Sequence, residues 1–152
     1  MWHSLFFNLK GENYMLKRTI KFTDFMGVER EEDFYFNLTK AEIMEMEMSE
    51  TGGLAESIKR IVAAQDAPAI IKIFKELILK SYGEKSADGR RFMKENENGY
   101  PLYKYFEQTE AYSILFNELA TDADAAAKFV NGIVPADMSQ KAANAATHPA
   151  LK

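Results

Sequence analysis

The sequence predicts an α+β fold in which an N-terminal β-hairpin packs on a bundle of about five α-helices. Residues 19–38 alternate polar and apolar side chains on both sides of a turn, which is typical of paired strands. From Thr39 onwards the chain carries helix caps followed by apolar residues at helical spacing. At 152 residues, with 47% hydrophobic and 28% charged side chains, the chain has the size and composition of one globular domain.

The hairpin is predicted to turn at Asp24 to Gly27, with the charged residues 29–32 exposed nearby. The alternation places one set of large side chains on the inner face: Ile20, Phe22, Phe34, Phe36 and Leu38. A lone two-stranded hairpin is only marginally stable in water, so we expect this face to pack on helices.

Caps predict where the helices begin. Thr39 and Glu42 form a capping box for a first helix that should end at residues 51–53, and a second helix should cover residues 54–65. Asp66 and Pro68 begin the longest helix, which should end at Gly83. Its apolar residues are expected to cover most of its circumference: Ile70, Ile71, Ile73, Phe74, Leu77, Ile78 and Leu79.

The second half of the chain is predicted to contain a loop and two more helices. Residues 84–104 read as a polar loop with turns at Asp88-Gly89 and Asn98-Gly99. Residues 112–119 form a helical face, and a last short helix begins at Asp122 and ends before Pro135.

Three regions follow from this pattern. Residues 15–135 should form the single domain, and residues 136–152, which have few large apolar groups, should be a flexible tail. Residues 1–14 do not continue the pattern. They are interpreted either as a translated leader upstream of Met15 or as an N-terminal arm.

The residues needed for catalysis or for cofactor and metal binding are missing. The chain has no cysteine, and its two histidines, His3 and His148, lie in the terminal regions. It has no glycine-rich phosphate loop and no cluster at metal-ligand spacing, because Asp122 and Asp124 are better explained as caps. We therefore expect a non-enzymatic protein without a cofactor, and no apolar stretch reaches the roughly 18 residues of a membrane span.

Charge indicates a protein partner rather than nucleic acid. The formal net charge is −4, with a weakly basic middle over residues 67–105 between acidic flanks. In this middle, Arg90 and Arg91 follow an Asp-Gly turn, with Lys85 close by. Guanidinium groups in such a position could bind carboxylates of a partner, or they could belong to a solvated turn.

Two sets of apolar residues are further candidates for partner binding. Met44, Met46 and Met48 are spaced two apart on a helix, so they cannot share one face, and at least one should point outward or into a shallow groove. Tyr103 belongs to an aromatic set over residues 100–106 that could form a docking patch. Ordinary core packing would explain both sets equally well.

Several segments taken in order resemble a known family. They are residues 19–25, 61–66, 82–92, 109–112 and 129–135, the last reading Phe-Val-Asn-Gly-Ile-Val-Pro. In this order they resemble the tail assembly chaperones of long-tailed phages of Gram-positive bacteria. The resemblance covers roughly Met15 to Pro135, although residues 95–106 are longer and more aromatic than the family pattern.

The resemblance implies a helper that binds the tape measure protein, recruits major tail (tube) protein and then leaves. Such a protein acts in the host cytoplasm, is absent from the mature virion and can self-associate. Two other classes stay open, namely a structural head–tail joining or tail protein of the virion, and a small protein that binds a host factor.

Overall fold

A four-stranded antiparallel sheet forms one part of the fold. The computed structural model describes residues 15–49, 59–60 and 63–135. The strands are β1 (Leu16–Thr23), β2 (Glu29–Phe36), β3 (Tyr82–Lys85) and β4 (Phe92–Met93), in the spatial order β1-β2-β3-β4. Leu16 pairs with Phe36 and Thr23 with Glu29 in the first pair, and Phe36 then pairs with Tyr82.

Five helices accompany the sheet in the described part of the chain. They are α1 (Lys40–Ser49), α2 (Ala67–Ser81), α3 (Tyr103–Phe106), α4 (Glu110–Thr121) and α5 (Ala123–Ile133). The predicted α+β class is confirmed. The predicted helix over 54–65 falls mostly outside the described residues, and the predicted leader 1–14 and tail 136–152 fall wholly outside them.

Side-chain caps set the starts of three of these helices at the residues that the sequence predicts. The Thr39 N–H donates to Glu42 Oε1 at 2.8 Å, and the Glu42 N–H donates to Thr39 Oγ1 at 3.2 Å, which completes the capping box. Asp66 accepts from the Ala69 N–H at 3.2 Å. Asp122 accepts from the Asp124 and Ala125 N–H groups at 3.0 and 3.2 Å, so it is a cap.

The hairpin projects beyond the core at its turn. Asp24 Oδ1 accepts from the N–H groups of Met26 and Val28, and Gly27 takes a φ of +83°, a conformation that favours glycine. Of the predicted inner set, Phe22 is half-buried and the other four are buried. Phe25 and Met26, by contrast, are 76% and 88% exposed at the tip.

The segment predicted as a loop over 84–104 contains β3 and β4 instead. Gly83 does not end α2 in a left-handed conformation, because Tyr82 caps the helix and Gly83 is already in β3. A Cβ at this position would lie 2.7 Å from the Met93 carbonyl oxygen and 2.7 Å from the Phe92 ring. Glycine is therefore required by the close approach of β4, while the predicted turns at Gly89 and Gly99 are present.

The core contains aromatic rings contributed by most of the elements. Phe106 stacks on Tyr82 with ring centres 4.5 Å apart and contacts Phe34 and Phe36 at 5.1 and 5.7 Å. Phe36 also reaches Phe129 of α5 at 5.3 Å. Five apolar residues of α2 are buried, namely Ile73, Phe74, Leu77, Ile78 and Leu79. Ile71 is 47% exposed, so one of the seven apolar residues predicted for this helix points away from the core.

Residues 37 and 38 join the ends of two helices to the hairpin. The Asn37 N–H donates to the Ser81 carbonyl at the end of α2, and the Leu38 N–H donates to the Ile133 carbonyl at the end of α5, both at 2.7 Å. These bonds satisfy carbonyls that a helix end otherwise leaves unpaired. They place the end of β2 beside the C-terminal ends of both helices.

Candidate partner-binding cleft

An open cleft of about 660 Å³ lies between α1, α2 and the chain that leads from β4 into α3. Its apolar lining consists of Leu38, Met46, Ile73, Leu79, Tyr82, Pro101 and Tyr103. Leu38, Ile73 and Leu79 are buried and form the floor, and the other four are partly exposed. Burial, and to a smaller extent Glu84 and Glu32, raises the pKa of Tyr82 to about 12, so its phenol is neutral. The cleft therefore offers apolar surface to a partner.

Lys94 forms one wall of the cleft by joining three segments. Its Nζ donates to the Asn37 carbonyl at 3.1 Å and to the Lys80 carbonyl, and lies 3.2 Å from Glu42 Oε2. The ammonium group also lies 5.5 Å from the centre of the Phe92 ring. Burial lowers the pKa of Lys94, although Glu42 opposes this shift. Lys94 is thus a structural cation.

The rim of the cleft is acidic. Four carboxylates line it, from Glu42, Glu45, Glu76 and Glu95, together with the ammonium groups of Lys80 and Lys94. Glu42 is neutralised by Lys94, and the other three carboxylates form no ion pair within the described part of the chain. An apolar floor under a net negative rim is suited to a partner that combines apolar and basic side chains.

A second exposed apolar surface lies at the opposite end of the sheet. Phe25, Met26 and Val28 are exposed at the hairpin tip. Because Tyr35 pairs with Gly83 and Lys85 with Phe92, the β3–β4 turn points toward that same end. The cleft lies at the other end, where β2 ends and β3 begins, as its lining residues Leu38 and Tyr82 show. We call residues 25–28 together with the turn 86–91 the tip end.

The comparison with known families identifies the class of protein. Residues 15–152 match the model of a family described as phage tail assembly chaperone. The chain belongs to this family. No curated protein and no solved structure matches the sequence.

The structure divides the predicted site residues of this chaperone between two places. Met46 and Tyr103, which are far apart in the sequence, both line the cleft. Met44 is 60% exposed, so at least one methionine does point outward. The side chain of Met48 lies outside the described residues.

The three predicted cations of the chaperone lie at the tip end or beside it. Lys85 Nζ stands 4.9 Å from the centre of the Tyr35 ring. Arg90 and Arg91 are exposed, and neither guanidinium forms an ion pair with a described residue. The turn beneath them is ordered by Asp88, which accepts from the Arg90 N–H at 3.0 Å and from Ser86 Oγ at 2.8 Å. These two bonds lower the pKa of the Asp88 carboxyl.

Sequence reasoning missed the acidic rim and the apolar tip. Glu45, Glu76 and Glu95 lie on three separate segments, so only the tertiary structure brings them together. The tip did carry a signal, because Phe25, Met26 and Val28 are large apolar residues at a turn, where polar residues are usual. Lys94 belongs to the weakly basic middle of the sequence, but its ammonium group makes its contacts inside the domain.

Two further features bear on what this chaperone can bind. Over the described ranges, every helix is too short or too polar to cross a bilayer. Over the same ranges, no group of three or more acidic or histidine side chains is placed to hold a metal ion.

Proposed function

We propose that this chain binds the tape measure protein of a long-tailed phage of Gram-positive bacteria and recruits tail-tube subunits to it, without catalysis. One observation supports the proposal beyond family membership. Apolar side chains are accessible at both ends of one sheet, partly exposed in the cleft and more fully exposed at the tip end. Large apolar side chains exposed in clusters mark contact sites for other proteins. Two separate surfaces allow one small domain to hold two different partners at once.

The proposal is tested by coexpression. The chain, produced with the tape measure protein of its own phage, should keep that protein soluble and copurify with it, and added tube protein should join the complex. The matched control is the tape measure protein expressed alone, which should be insoluble. Equal solubility in both cases would contradict the proposal.

Analysis of purified phage particles tests the competing class. An assembly helper that leaves the tail acts in the host cytoplasm and should be missing from mature virions. Mass spectrometry that finds the chain in fixed stoichiometry with tube protein would instead support a structural tail or joining protein.

A further inference from the structure

We propose that the cleft is the surface on which the tape measure protein docks, through an amphipathic helix whose apolar stripe is flanked by Lys or Arg. This inference rests on the proposed function and adds to it the chemistry of the recognised segment. Its basis is the combination of shape, apolar floor and charge at one place on the domain.

The shape of the cleft favours a helix over an extended peptide. A strand adds to a protein by pairing with a free sheet edge, and a helix binds by placing its apolar side chains in a groove. Of the described lining residues, only Tyr82 belongs to a strand, and its strand pairs with β2 and β4. The remaining lining comes from α1, α2, the first residue of α3 and connecting chain. Because no unpaired strand borders the cleft, its described walls form a groove for side chains.

The floor of the cleft determines which apolar side chains of a partner can bind. At about 660 Å³ the cleft is within the roughly 300–1,000 Å³ range of sites that enclose a small ligand, so it accepts a few side chains rather than a whole helix. Ile73 and Leu79 are fixed in the core. Met46 and Tyr103 are only partly buried at the sides. Since a thioether adapts to side chains of different shape, several apolar stripes of similar size can fit.

The rim sets the charge of the partner. Glu45, Glu76 and Glu95 surround the floor, and Lys80 is the cation on the rim that Glu42 does not neutralise. An acidic helix would meet repulsion from three carboxylates, whereas Lys or Arg beside the apolar stripe would be attracted to them. Such rim charges mainly set the rate of association and the choice between partners.

The test uses the full chain with the full-length tape measure protein. The double variant Glu45→Lys with Glu76→Lys should retain the tape measure protein about tenfold less than the wild type, because two attractive contacts become repulsive. The matched control is Glu29→Lys with Glu31→Lys, which makes the same charge change on the hairpin and should bind within about twofold of the wild type. All four positions are exposed or partly exposed, and circular dichroism checks that both variants are folded.

A set of overlapping peptides covering the tape measure protein tests the chemistry of the segment. The retained peptides should have an apolar helical stripe flanked by Lys or Arg. Their binding should weaken from about 0.1 M to about 1 M salt, which shortens the screening length from about 10 Å to about 3 Å. Retention of acidic or uniformly polar peptides would overturn the inference.

The outcomes separate this inference from the proposed function. If the wild type and the cleft variant retain the tape measure protein equally, the inference is wrong and the proposed function stands. If the wild type does not retain it at all, the proposed function fails and the inference fails with it. If the cleft variant loses only self-association in sizing chromatography, the occupant is a second copy of the chain and the inference is overturned. Binding of peptides only after deletion of residues 50–58 would show that this segment occupies the cleft. The inference would then also be overturned.

Discussion

The ammonium group of Lys94 shows how much of this fold depends on single polar side chains. It satisfies carbonyl groups at Asn37 and Lys80 and forms an ion pair with Glu42. Removing such a group leaves two carbonyls and a carboxylate without their partner. A buried polar group that loses its partner costs about 1–3 kcal/mol. We therefore expect Lys94→Met to lower the free energy of unfolding by about 2 kcal/mol in denaturant titration.

The exposed Lys104 provides the control for this change. Lys104→Met should alter the free energy of unfolding by less than about 0.5 kcal/mol.

The pKa of Lys94 is lowered in the fold, so its neutral form is favoured there relative to the unfolded chain. As the pH rises, Lys94 therefore loses its proton in the folded state before it does so in the unfolded chain. The contribution of Lys94 to the free energy of unfolding then increases as the pH approaches 10.5. The gap between wild type and Lys94→Met should therefore widen from neutral pH upward, and a narrowing gap would contradict the assignment.

Asp24 permits a second test at the level of one carboxyl group. Its pKa is lowered from 3.8, first by the Arg30 side chain, 2.6 Å away, and then by the Val28 and Met26 N–H groups. A lowered carboxyl pKa contributes stability above 3.8 that is lost as the pH falls through the folded-state pKa. Arg30→Ala should raise the pKa of Asp24 in an NMR titration and leave that of Asp88 unchanged. Asp88 depends instead on the Arg90 N–H and on Ser86.

The structural roles of residues that interact with others only a few positions away were predictable from the sequence. Thr39, Asp66 and Asp122 cap the helices that follow them, and Gly27, Gly89 and Gly99 take positive φ in turns. Each of these roles involves residues only a few positions apart. The role of Lys94 was not predictable, because Asn37 lies 57 positions away in the sequence.

Helix α2 is the element on which the packing of the core can be tested. Phe74 is buried, whereas Ile71 on the same helix is 47% exposed. Phe74→Ala should reduce the free energy of unfolding by about 3–5 kcal/mol, because it removes a ring and leaves a cavity. Ile71→Ala should cost less than about 1 kcal/mol, since much of its side chain is already in water. Equal effects of the two changes in urea titration would contradict the orientation of the helix.

The prediction of secondary structure failed at the strands β3 and β4. Residues 82–85 and 92–93 are too short to show strand alternation. Their pairing is set by β2 on one side and by the turn at Gly89 on the other. The first hairpin alternates over residues 19–23 and 33–38 and was predicted, although β2 already begins at Glu29, in the charged run. A strand of two residues is specified by tertiary contacts, which no local pattern records.

At the scale of the whole molecule, the two surfaces present different charged side chains. The cleft has an acidic rim, and the tip end carries Arg90 and Arg91. With the cleft proposed for the tape measure protein, the proposed function leaves the tip end for tube protein, so the double change Arg90→Glu with Arg91→Glu should weaken association of tube protein and make its salt dependence shallower. The circular dichroism of the free domain should stay unchanged, because both side chains are exposed.

The matched control for the arginine pair is Lys17→Glu with Lys21→Glu, which reverses two exposed charges on the hairpin. It should bind tube protein as the wild type does. If both double variants weaken binding equally, net charge rather than the tip end governs association.

The candidate site was predictable only in part, because it is formed by segments that are distant in the sequence, as β3 and β4 are specified by tertiary contacts. The adaptable side chains Met46 and Tyr103 stood out by residue type, and both line the cleft. The carboxylates that give the cleft its charge come from α1, α2 and the chain after β4. Exposed glutamates are common, so the sequence alone does not mark them as binding residues. Their position around an apolar floor, which only the tertiary structure shows, makes them candidates.

The bond from the Leu38 N–H to the Ile133 carbonyl has a consequence for the order of synthesis. The ribosome makes the hairpin first and α5 last, yet Phe36 packs against Phe129 and residue 38 is held by the end of α5. At the usual rate of translation, roughly five to twenty seconds separate the two segments. During that time the aromatic face of the hairpin lacks its C-terminal cover, and a chain cut short before α5 never gains it. The hairpin of this protein is therefore fully covered only after α5 has been made.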